Sequence, residues 1–389
     1  MKGFKNVLAY VDGKGVINCD IAVENGVIKE IGTKLDITEP FPYRDGDIVL
    51  PGFIDEHIHG ADGVDVMDGT VDALSVVSKA LAREGTTSFL ATTMTQSRDN
   101  ILKALSAIKT YMDMAKQPNG CDGGAEILGV HLEGPFISEK HIGAQPLKYL
   151  SDPKPQVFDE YFAASGNSVK LVTLAPEEHG ADELLRALTA KGVHPSAGHS
   201  DAGYNDIKAA IQNGLDCVTH TFNAQRGIHH REIGVAGSAL LEDELYAEAI
   251  CDLIHLSAPA IKLLVKNKPK DKLILITDSM RAKNLPDGES EIGGQKVIVK
   301  NGEARLENGA LAGSTLKMND ALKNLVLKLD VPFTQAVNYA TANPAKHLGV
   351  FDRKGSIKAG KDADFCVLTC EFAVETTITR GKITYRNTL

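Results

Sequence analysis

Hydrophobic positions through the middle of the chain fall into short runs rich in β-branched residues, and an amphipathic stretch follows most of them. In stretches such as VDALSVVSKALAREG and ADELLRALTAKG the apolar residues recur three or four positions apart, which predicts helices. The short runs predict buried strands, and they are IVLPGFID, TTSFLATT, EILGVHLE, VKLVTLAP, GVHPSAGH, DCVTHTFN, AEAICDLIH and KLILITDS. Alternating strands and helices in this number predict an α/β fold, a (β/α)8 TIM-like barrel.

The two ends of the chain have a different pattern, in which short alternating segments are separated by turn signals such as DGKG and ENG. The last segments alternate in the same way around Arg380 and Gly381. Since the termini of a domain often meet, we expect residues 1–50 and 350–389 to build one small β-sandwich domain and residues 51–349 to form the catalytic barrel. A hairpin-like stretch after the eighth run, NLPDGESEIGGQKVIVKNGEARLENGALAG, could form a wall or lid.

The net charge and the arrangement of the cysteines limit which partners and which cellular compartment we expect. A net charge of -9 and a pI near 5.8 argue against a nucleic-acid partner, which normally requires concentrated basic surface. Neither a signal peptide nor a stretch apolar enough to span a bilayer is visible, which predicts a cytoplasmic protein without a membrane partner. The cysteines contain no CxxC pair, so we expect mostly buried thiols; they are Cys19, Cys121, Cys217, Cys251, Cys366 and Cys370.

Ionisable residues stand at the C-terminal ends of many of the predicted strands. In a parallel barrel these ends converge on one face, so residues distant in sequence would meet in one cleft. A single histidine is more often a hydrogen-bonded core or surface residue, but repetition at the same structural position favours a site. The residues are His57, His59, Glu133, His199, His220, His255 and Asp278.

These residue types point to a catalytic metal. Glu133, His199 and His220 would supply three ligands and leave a position for water. His57 and His59, two residues apart on an extended segment, would lie on the same side and could hold a second ion bridged by Glu133. Zinc is the first expectation, with iron, manganese or cobalt as alternatives, and one or two ions per chain.

Asp278 ends the apolar run LILITDS, a costly place for a carboxylate without a partner or a task. A metal lowers the pKa of bound water to roughly 7, so an adjacent aspartate could accept the proton and later protonate a leaving amine. The structural alternatives are a helix N-cap for Asp278 and a solvated loop glutamate for Glu133.

The whole chain resembles the amidohydrolase superfamily and, within it, the N-acetylglucosamine-6-phosphate deacetylases. The matching motifs are PGFIDEHIHG at 51, HLEGPF at 131, AGHS at 197, THTFNA at 219, CDLIH at 251, TDS at 277 and LAGS at 311. HLEGPF and THTFNA together are specific, whereas PGFID-x-H-x-H marks the superfamily alone. Relatives that hydrolyse cyclic amides use a carboxylated lysine as bridging ligand, and this chain resembles the branch with Glu133 in that place.

The resemblance implies hydrolysis of N-acetyl-D-glucosamine 6-phosphate to glucosamine 6-phosphate and acetate, by metal-activated water, in a homodimer. It implies Glu133, His199 and His220 as metal ligands and Asp278 as the catalytic acid and base. His255 would polarise the acetamide carbonyl or orient the sugar, and Arg231 would receive the phosphate, in its own chain or across the dimer. The other implied substrate-binding residues are Gln145, Asn223, Ala224, Leu311 and Ala312.

Other functions stay open at this point. The same barrel could deacetylate N-acetylgalactosamine 6-phosphate or hydrolyse or deaminate a ring substrate, and a small-molecule substrate of another class would not need Arg231. Without the resemblance, Arg231 in the polar stretch RGIHHREIG is most simply a solvated surface residue. A non-catalytic scaffold is the remaining alternative, but every proposed metal ligand is present.

Overall fold

The structure, a computed structural model, describes residues 1–117 and 123–388, so Cys121 lies outside the described residues. Its strands are β1 Lys2–Val11, β2 Gly15–Glu24, β3 Val27–Gly32, β4 Glu39–Pro40, β5 Ile48–Pro51, β6 Phe53–Ile58, β7 Gly60–Ala61, β8 Val64–Asp65, β9 Thr86–Thr93, β10 Glu126–Glu133, β11 Val169–Leu174, β12 His194–Ala197, β13 Cys217–Val218, β14 Tyr246–Ile250, β15 Leu273–Ile276, β16 Gly288–Ile292, β17 Gln295–Lys300, β18 Glu303–Leu306, β19 Phe365–Leu368, β20 Val374–Thr379 and β21 Lys382–Arg386.

The helices lie mostly between consecutive strands of the central sheet, as the amphipathic stretches predict. They are α1 Val71–Ala82, α2 Arg98–Ala115, α3 Pro155–Ala164, α4 Ala181–Ala190, α5 Tyr204–Gln212, α6 Gly234–Leu241, α7 Ala258–Asn267, α8 Met318–Lys323, α9 Phe333–Tyr339 and α10 Ala342–His347. In the described part of the chain, no helix combines the length and apolar character needed to cross a lipid bilayer.

The central sheet is a nearly closed parallel barrel, which confirms the predicted fold. Within the described residues its strands follow one another in the order β6, β9, β10, β11, β12, β13, β14 and β15. The last and first strands meet through the backbone amide of Asp278, which donates a hydrogen bond of 2.8 Å to the carbonyl oxygen of His57. Thr277 Oγ1 also donates to Asp55 Oδ2 at 2.5 Å. The C-terminal ends of the strands therefore form one rim.

The outer helices bury one face against the barrel. In α2, Ser97 caps the N-terminus by accepting a hydrogen bond from the Asn100 amide, and Ile101, Leu105 and Ile108 recur at helical spacing and are fully buried. Each large aliphatic side chain buried in this way contributes about 1.5 to 3 kcal/mol. The buried stripe holds the helix against the strands and so fixes the rim.

The N- and C-terminal strands combine into a second sheet, in the order β21, β20, β19, β5, β1, β2 and β3, with β4 paired to β1. Side chains from both ends of the chain, such as Phe4, Val49 and Phe365, are buried in its core. The run IVLPGFID divides between the two sheets, since β5 pairs with β1 and β19 while β6 belongs to the barrel. The division falls at Gly52, where a Cβ would lie 2.2 Å from the Thr87 side chain.

The hairpin-like stretch predicted after the eighth run forms the antiparallel sheet of β16, β17 and β18. The inner side of this sheet packs on Met94 and Met280, which belong to the barrel. Because Ile292 and Arg305 from this sheet line the cavity described below, it forms a wall of the site.

Candidate metal centre and substrate pocket

A cavity of about 410 Å³ opens at the C-terminal rim of the barrel. Most of the residues predicted from the strand ends line it together, although they come from separate segments. The lining residues are His59, Met94, Glu133, Gly143, Ala144, Gln145, His199, His220, Asn223, Ala224, His255, Asp278, Ile292, Arg305, Gly309, Ala310, Leu311 and Gly313. A cleft of this size with clustered ionisable groups is typical of a small-molecule site.

Glu133, His199 and His220 converge on one point. Glu133 Oε1 lies 3.1 Å from His199 Nε2 and 3.2 Å from His220 Nε2, and the two Nε2 atoms are 3.2 Å apart. All three side chains are almost fully buried. Two imidazole nitrogens and a carboxylate oxygen directed at one position match the donors of a zinc-class ion, so the residues fit a metal.

His57, His59 and Asp278 form an adjoining group that shares Glu133 with the first. His59 Nε2 lies 3.2 Å from Glu133 Oε2 and 3.3 Å from Asp278 Oδ1. His57 Nε2 is buried without a hydrogen-bond partner in the described part of the chain, 3.5 Å from both Glu133 Oε1 and Asp278 Oδ1. The carboxylate of Glu133 therefore lies between the two groups and contacts both, as a bridging ligand would.

The local backbone at three of these residues is unusual. His199, His220 and Asp278 have φ values of 49°, 29° and 47°, in the left-handed region that residues with a side chain rarely adopt. Each of them stands two residues past the end of a barrel strand. Strained backbone of this kind concentrates at functional sites, where the surrounding structure holds it in place. Here it turns each side chain back over the mouth of the barrel.

Charge in the site favours ionised carboxylates. Burial alone would raise the pKa of the Glu133 carboxyl, but the charge of His57 and hydrogen bonds from the neighbouring histidines hold it well below its ordinary value. In the same way, His57 and His59 lower the pKa of Asp278 against the effect of burial. Hydrogen bonds from His59 to Asp278 and Glu133 raise the pKa of the His59 ring well above its ordinary value, although burial opposes this.

Glu248 orients the metal-facing histidines and was missed by sequence reasoning. Its Oε2 accepts from His57 Nδ1 at 3.0 Å and from the His220 backbone amide at 3.1 Å. A carboxylate on the remote nitrogen fixes the tautomer, so that Nε2 points at the shared position. A charged residue inside the apolar run AEAICDLIH was the available signal, but the run gave no indication of its partner.

A second missed residue is His131, which lies in the barrel interior below His57, with ring centroids 4.5 Å apart. His131 Nε2 lies 2.7 Å from Thr173 Oγ1, and its Nδ1 lies 3.1 Å from the Glu56 carbonyl oxygen. Burial and the neighbouring charge of His57 lower the pKa of His131 well below its ordinary value. His131 thus forms part of a neutral hydrogen-bonded floor beneath the centre.

Gln145 occupies the position beside Glu133. Its Nε2 donates a hydrogen bond of 2.6 Å to Glu133 Oε2, while its Oε1 accepts from the Thr95 amide at 2.8 Å. The amide group therefore holds the carboxylate that spans the two histidine groups.

His255 lies at the cavity wall, where Asp252 holds it. Its Nδ1 lies 2.6 Å from Asp252 Oδ2, and Asp252 Oδ1 accepts from the His255 backbone amide at 2.8 Å. The ring is therefore fixed with Nε2 available to a ligand. Asn223 and Ala224 follow His220 in the same loop and line the cavity, as does Leu311, whereas Ala312 is fully buried in the core beneath the hairpin sheet.

Arg231 does not belong to the described residues that line the cavity. Arg231 is exposed in the loop after Arg226, and its guanidinium contacts His230 Nε2 at 2.6 Å. Arg305 is the one arginine among the described residues that line the cavity, and the sequence alone did not predict its place there. Glu303 and the Gly309 carbonyl oxygen hold the Arg305 guanidinium at 2.7 to 2.9 Å.

Comparisons with known proteins agree with this geometry. The model of the amidohydrolase family matches residues 48–384. An N-acetylglucosamine-6-phosphate deacetylase of Bacillus subtilis is 41% identical over 98% of this chain and 96% of its own length. An N-acetylgalactosamine-6-phosphate deacetylase of Escherichia coli is 35% identical over 93% of this chain and 94% of its own.

A solved structure of N-acetylglucosamine-6-phosphate deacetylase from Thermotoga maritima superposes with a TM-score of 0.89 at 34% identity. The match covers 99% of this chain and 100% of that chain. The chain therefore belongs to the amidohydrolase family and, within it, to the N-acetylglucosamine-6-phosphate deacetylases.

Proposed function

We propose that the protein hydrolyses N-acetyl-D-glucosamine 6-phosphate to D-glucosamine 6-phosphate and acetate. The observation that carries this proposal is the convergence of Glu133, His199 and His220 on one position at the mouth of the barrel, beside the carboxylate of Asp278. The Bacillus subtilis relative and the Thermotoga maritima structure bear the name of this activity.

Glu133, His199 and His220 would hold a divalent ion, with zinc the first choice and iron, manganese or cobalt as alternatives. His57 and His59, together with Glu133, would hold a second. When bound, such an ion supplies Lewis-acid chemistry, which lowers the pKa of water and polarises the acetamide carbonyl. Glu248 and Gln145 keep the ligands oriented, because each contacts one of them through a buried hydrogen bond.

Asp278 would act as the general base and then as the general acid. Its carboxylate lines the cavity and is held by His59, so it is positioned to accept a proton from the attacking water. Asp278 would then return that proton to the nitrogen of the amino sugar as the bond to the acetyl group breaks.

The remaining wall of the cavity would bind the sugar. His255 would hydrogen-bond the acetamide carbonyl or a sugar hydroxyl through Nε2, and Asn223 and Ala224 would present polar groups of their loop. Leu311 would contact the acetyl group, with Ala312 packed behind it. Gln145 would contribute to sugar binding through the neutral amide that also contacts Glu133.

The phosphate requires a cationic receptor, because the protein as a whole is acidic. Arg305 lies on the cavity wall of the same chain and would provide charge-assisted hydrogen bonds. Arg231 is exposed on a separate loop, so we place it as a phosphate ligand that acts across a homodimer. The two arginines could contact one phosphate from two chains.

We further propose that the protein is cytoplasmic, and that it divides into a β domain of residues 1–50 and 350–389 and a barrel domain of residues 51–349. The division is supported by β1 and β21 lying in one sheet and by β6 and β9 to β15 forming the barrel.

Acetate release from N-acetyl-D-glucosamine 6-phosphate by the purified protein tests the proposed activity. We expect chelator-sensitive release, and its absence with every divalent metal tried would remove the proposal. N-acetyl-D-galactosamine 6-phosphate is the second candidate substrate, because a relative 35% identical is named as the deacetylase of that compound. Comparing kcat/KM for the two sugars in parallel separates the candidates, and we expect the glucosamine substrate to be preferred.

A further inference from the structure

A second cluster of histidine and carboxylate side chains lies at the opposite end of the barrel from the centre described above. His194 is the first residue of β12, Asp216 directly precedes β13, and His347 is the last residue of α10, which packs against this end. The strands β12 and β13 run from this cluster toward His199 and His220 at the other rim. The cluster is therefore separate from the proposed catalytic centre.

The donor atoms of these three residues lie within 4.8 Å of one another. His194 Nδ1 is 2.6 Å from Asp216 Oδ2, and His347 Nε2 is 3.5 Å from Asp216 Oδ1. The imidazole rings of His194 and His347 have centroids 4.7 Å apart. The 2.6 Å contact is a hydrogen bond, whose proton a bound ion would displace. Two imidazole nitrogens and one carboxylate oxygen are donors of the kind that zinc-class ions prefer.

Two atoms of the cluster are buried without a hydrogen-bond partner among the described residues, namely His347 Nε2 and Asp216 Oδ1. The other ring nitrogen of His347, Nδ1, lies 3.0 Å from both oxygens of Glu56 and donates to that carboxylate. In the neutral ring Nε2 then carries a lone pair, and it faces a carboxylate oxygen. Two acceptors facing each other in a buried place need either a proton or a metal cation between them.

We propose that His194, Asp216 and His347 bind a divalent cation of the zinc class. Glu56 plays the part of the carboxylate that orients a metal-ligating imidazole through its remote nitrogen. Two neutral imidazoles, the two carboxylates of Glu56 and Asp216, and one divalent ion sum to zero charge, which suits a largely buried site.

Access to this site is available from solvent. The side chain of His347 is fully buried, whereas those of His194 and Asp216 are 27% and 34% exposed. An ion can therefore enter between the two partly exposed residues and keep water as a further ligand. Bound there, it links α10 to the beginnings of β12 and β13 and stabilises the closed end of the barrel.

Zinc binding tests the proposal without any reference to deacetylation. Chelator-treated protein is dialysed to equilibrium against Zn²⁺ and zinc per chain is measured, for the wild type and for the variants His194→Ala and Asp216→Asn. We expect each variant to bind one equivalent fewer than the wild type, with acetate release at the wild-type level. His179→Ala, which removes an exposed histidine outside the cluster, is the matched control and should keep the full equivalent.

A second measurement separates this site from the catalytic one. In the double variant His199→Ala, His220→Ala the chain should still bind zinc, and adding Asp216→Asn should remove one further equivalent. Circular dichroism of each metal-free protein checks that the variants fold. Equal zinc content in the wild type, His194→Ala and Asp216→Asn would overturn the proposal and leave a proton on His347 as the cation of the cluster.

Discussion

His199 and His220 direct their Nε2 atoms toward each other at a separation of 3.2 Å, although twenty residues lie between them in the chain. Both residues follow barrel strands and adopt left-handed backbone, and Glu133 closes the third side of the group. Neutral imidazole nitrogens at this distance are stabilised by a cation that both can ligate. The relationship between these two rings is therefore the basis of the proposed metal centre.

Replacing Asp278 by asparagine should separate metal binding from catalysis. Asp278→Asn keeps the size of the side chain but cannot accept a proton, so kcat should fall by about 100- to 10,000-fold while the metal content stays at the wild-type level. Steady-state acetate release and elemental analysis on the same sample measure both quantities. Turnover close to the wild-type rate in this variant would remove the acid and base role from Asp278.

Gln145 should act on the metal through Glu133. Gln145→Ala removes the 2.6 Å hydrogen bond to the bridging carboxylate, so we expect the affinity for the metal to fall by about 10- to 100-fold. Competition with a chelator of known affinity gives the change. Gln156→Ala, at an exposed position of α3, is the control and should leave the affinity unchanged. Equal affinities for the Gln145→Ala protein and its control would show that Glu133 needs no such support.

Arg305 should bind the phosphate. Because a charge-assisted hydrogen bond contributes about 1.5 to 3 kcal/mol, Arg305→Ala should raise KM for the 6-phosphate by about 10- to 100-fold. Turnover of unphosphorylated N-acetyl-D-glucosamine should change little. Arg186→Ala, at an exposed arginine of α4 paired with Asp182, is the matched control. The same KM in the Arg305→Ala protein and its control would mean that Arg231, and not Arg305, binds the phosphate.

Acid should weaken the junction between the barrel and the C-terminal segment. Burial alone would raise the pKa of Glu126, but Lys354 and Arg353 lower this pKa to about 2. Lys354 Nζ and the Arg353 guanidinium lie 2.8 and 2.9 Å from this carboxylate. Because the pKa of Glu126 is depressed in the folded state, its ionised carboxylate stabilises the fold at pH values above the ordinary pKa near 4.5. This contribution disappears as the pH falls toward 2.

Denaturant unfolding between pH 6 and pH 3 measures the effect, and we expect Glu126 to contribute about 2 kcal/mol at the upper end of that range. Glu126→Gln should be less stable than the wild type at pH 6, and the difference should shrink at pH 3. A difference that does not depend on pH would mean that the ion pairs of Glu126 leave its titration unchanged.

The barrel was predictable because each strand is a short apolar run followed by a helix with a buried stripe, as in β9 and α2. The limits of the first strand were harder to place. IVLPGFID is continuous in hydrophobicity, and the pairing of β5 and β6 with different sheets, together with the close approach of Gly52 to Thr87, shows that the chain leaves one sheet and enters the other there. Such a contact forms between two strands that are distant in sequence, so the pattern of hydrophobic residues along the chain does not predict it.

The site was predictable where a chemical group stands at the end of a strand. His57, His59 and Asp278 lie close together as expected, because strand ends of a parallel barrel share one rim. Glu248 and Arg305 were missed for different reasons. Glu248 lies inside a strand and acts on His57 from below, and Arg305 reaches the cavity from a hairpin whose position depends on packing against Met94 and Met280.

Metal content and acetate release, measured together on the wild-type protein and on His220→Ala, test the three-donor centre most directly. We predict that the wild type releases acetate from N-acetyl-D-glucosamine 6-phosphate, stops after chelation and recovers when a divalent metal is returned. His220→Ala should lose the ion and about three orders of magnitude in rate. Wild-type rates from the chelated protein, or from His220→Ala without its metal, would contradict the proposed mechanism.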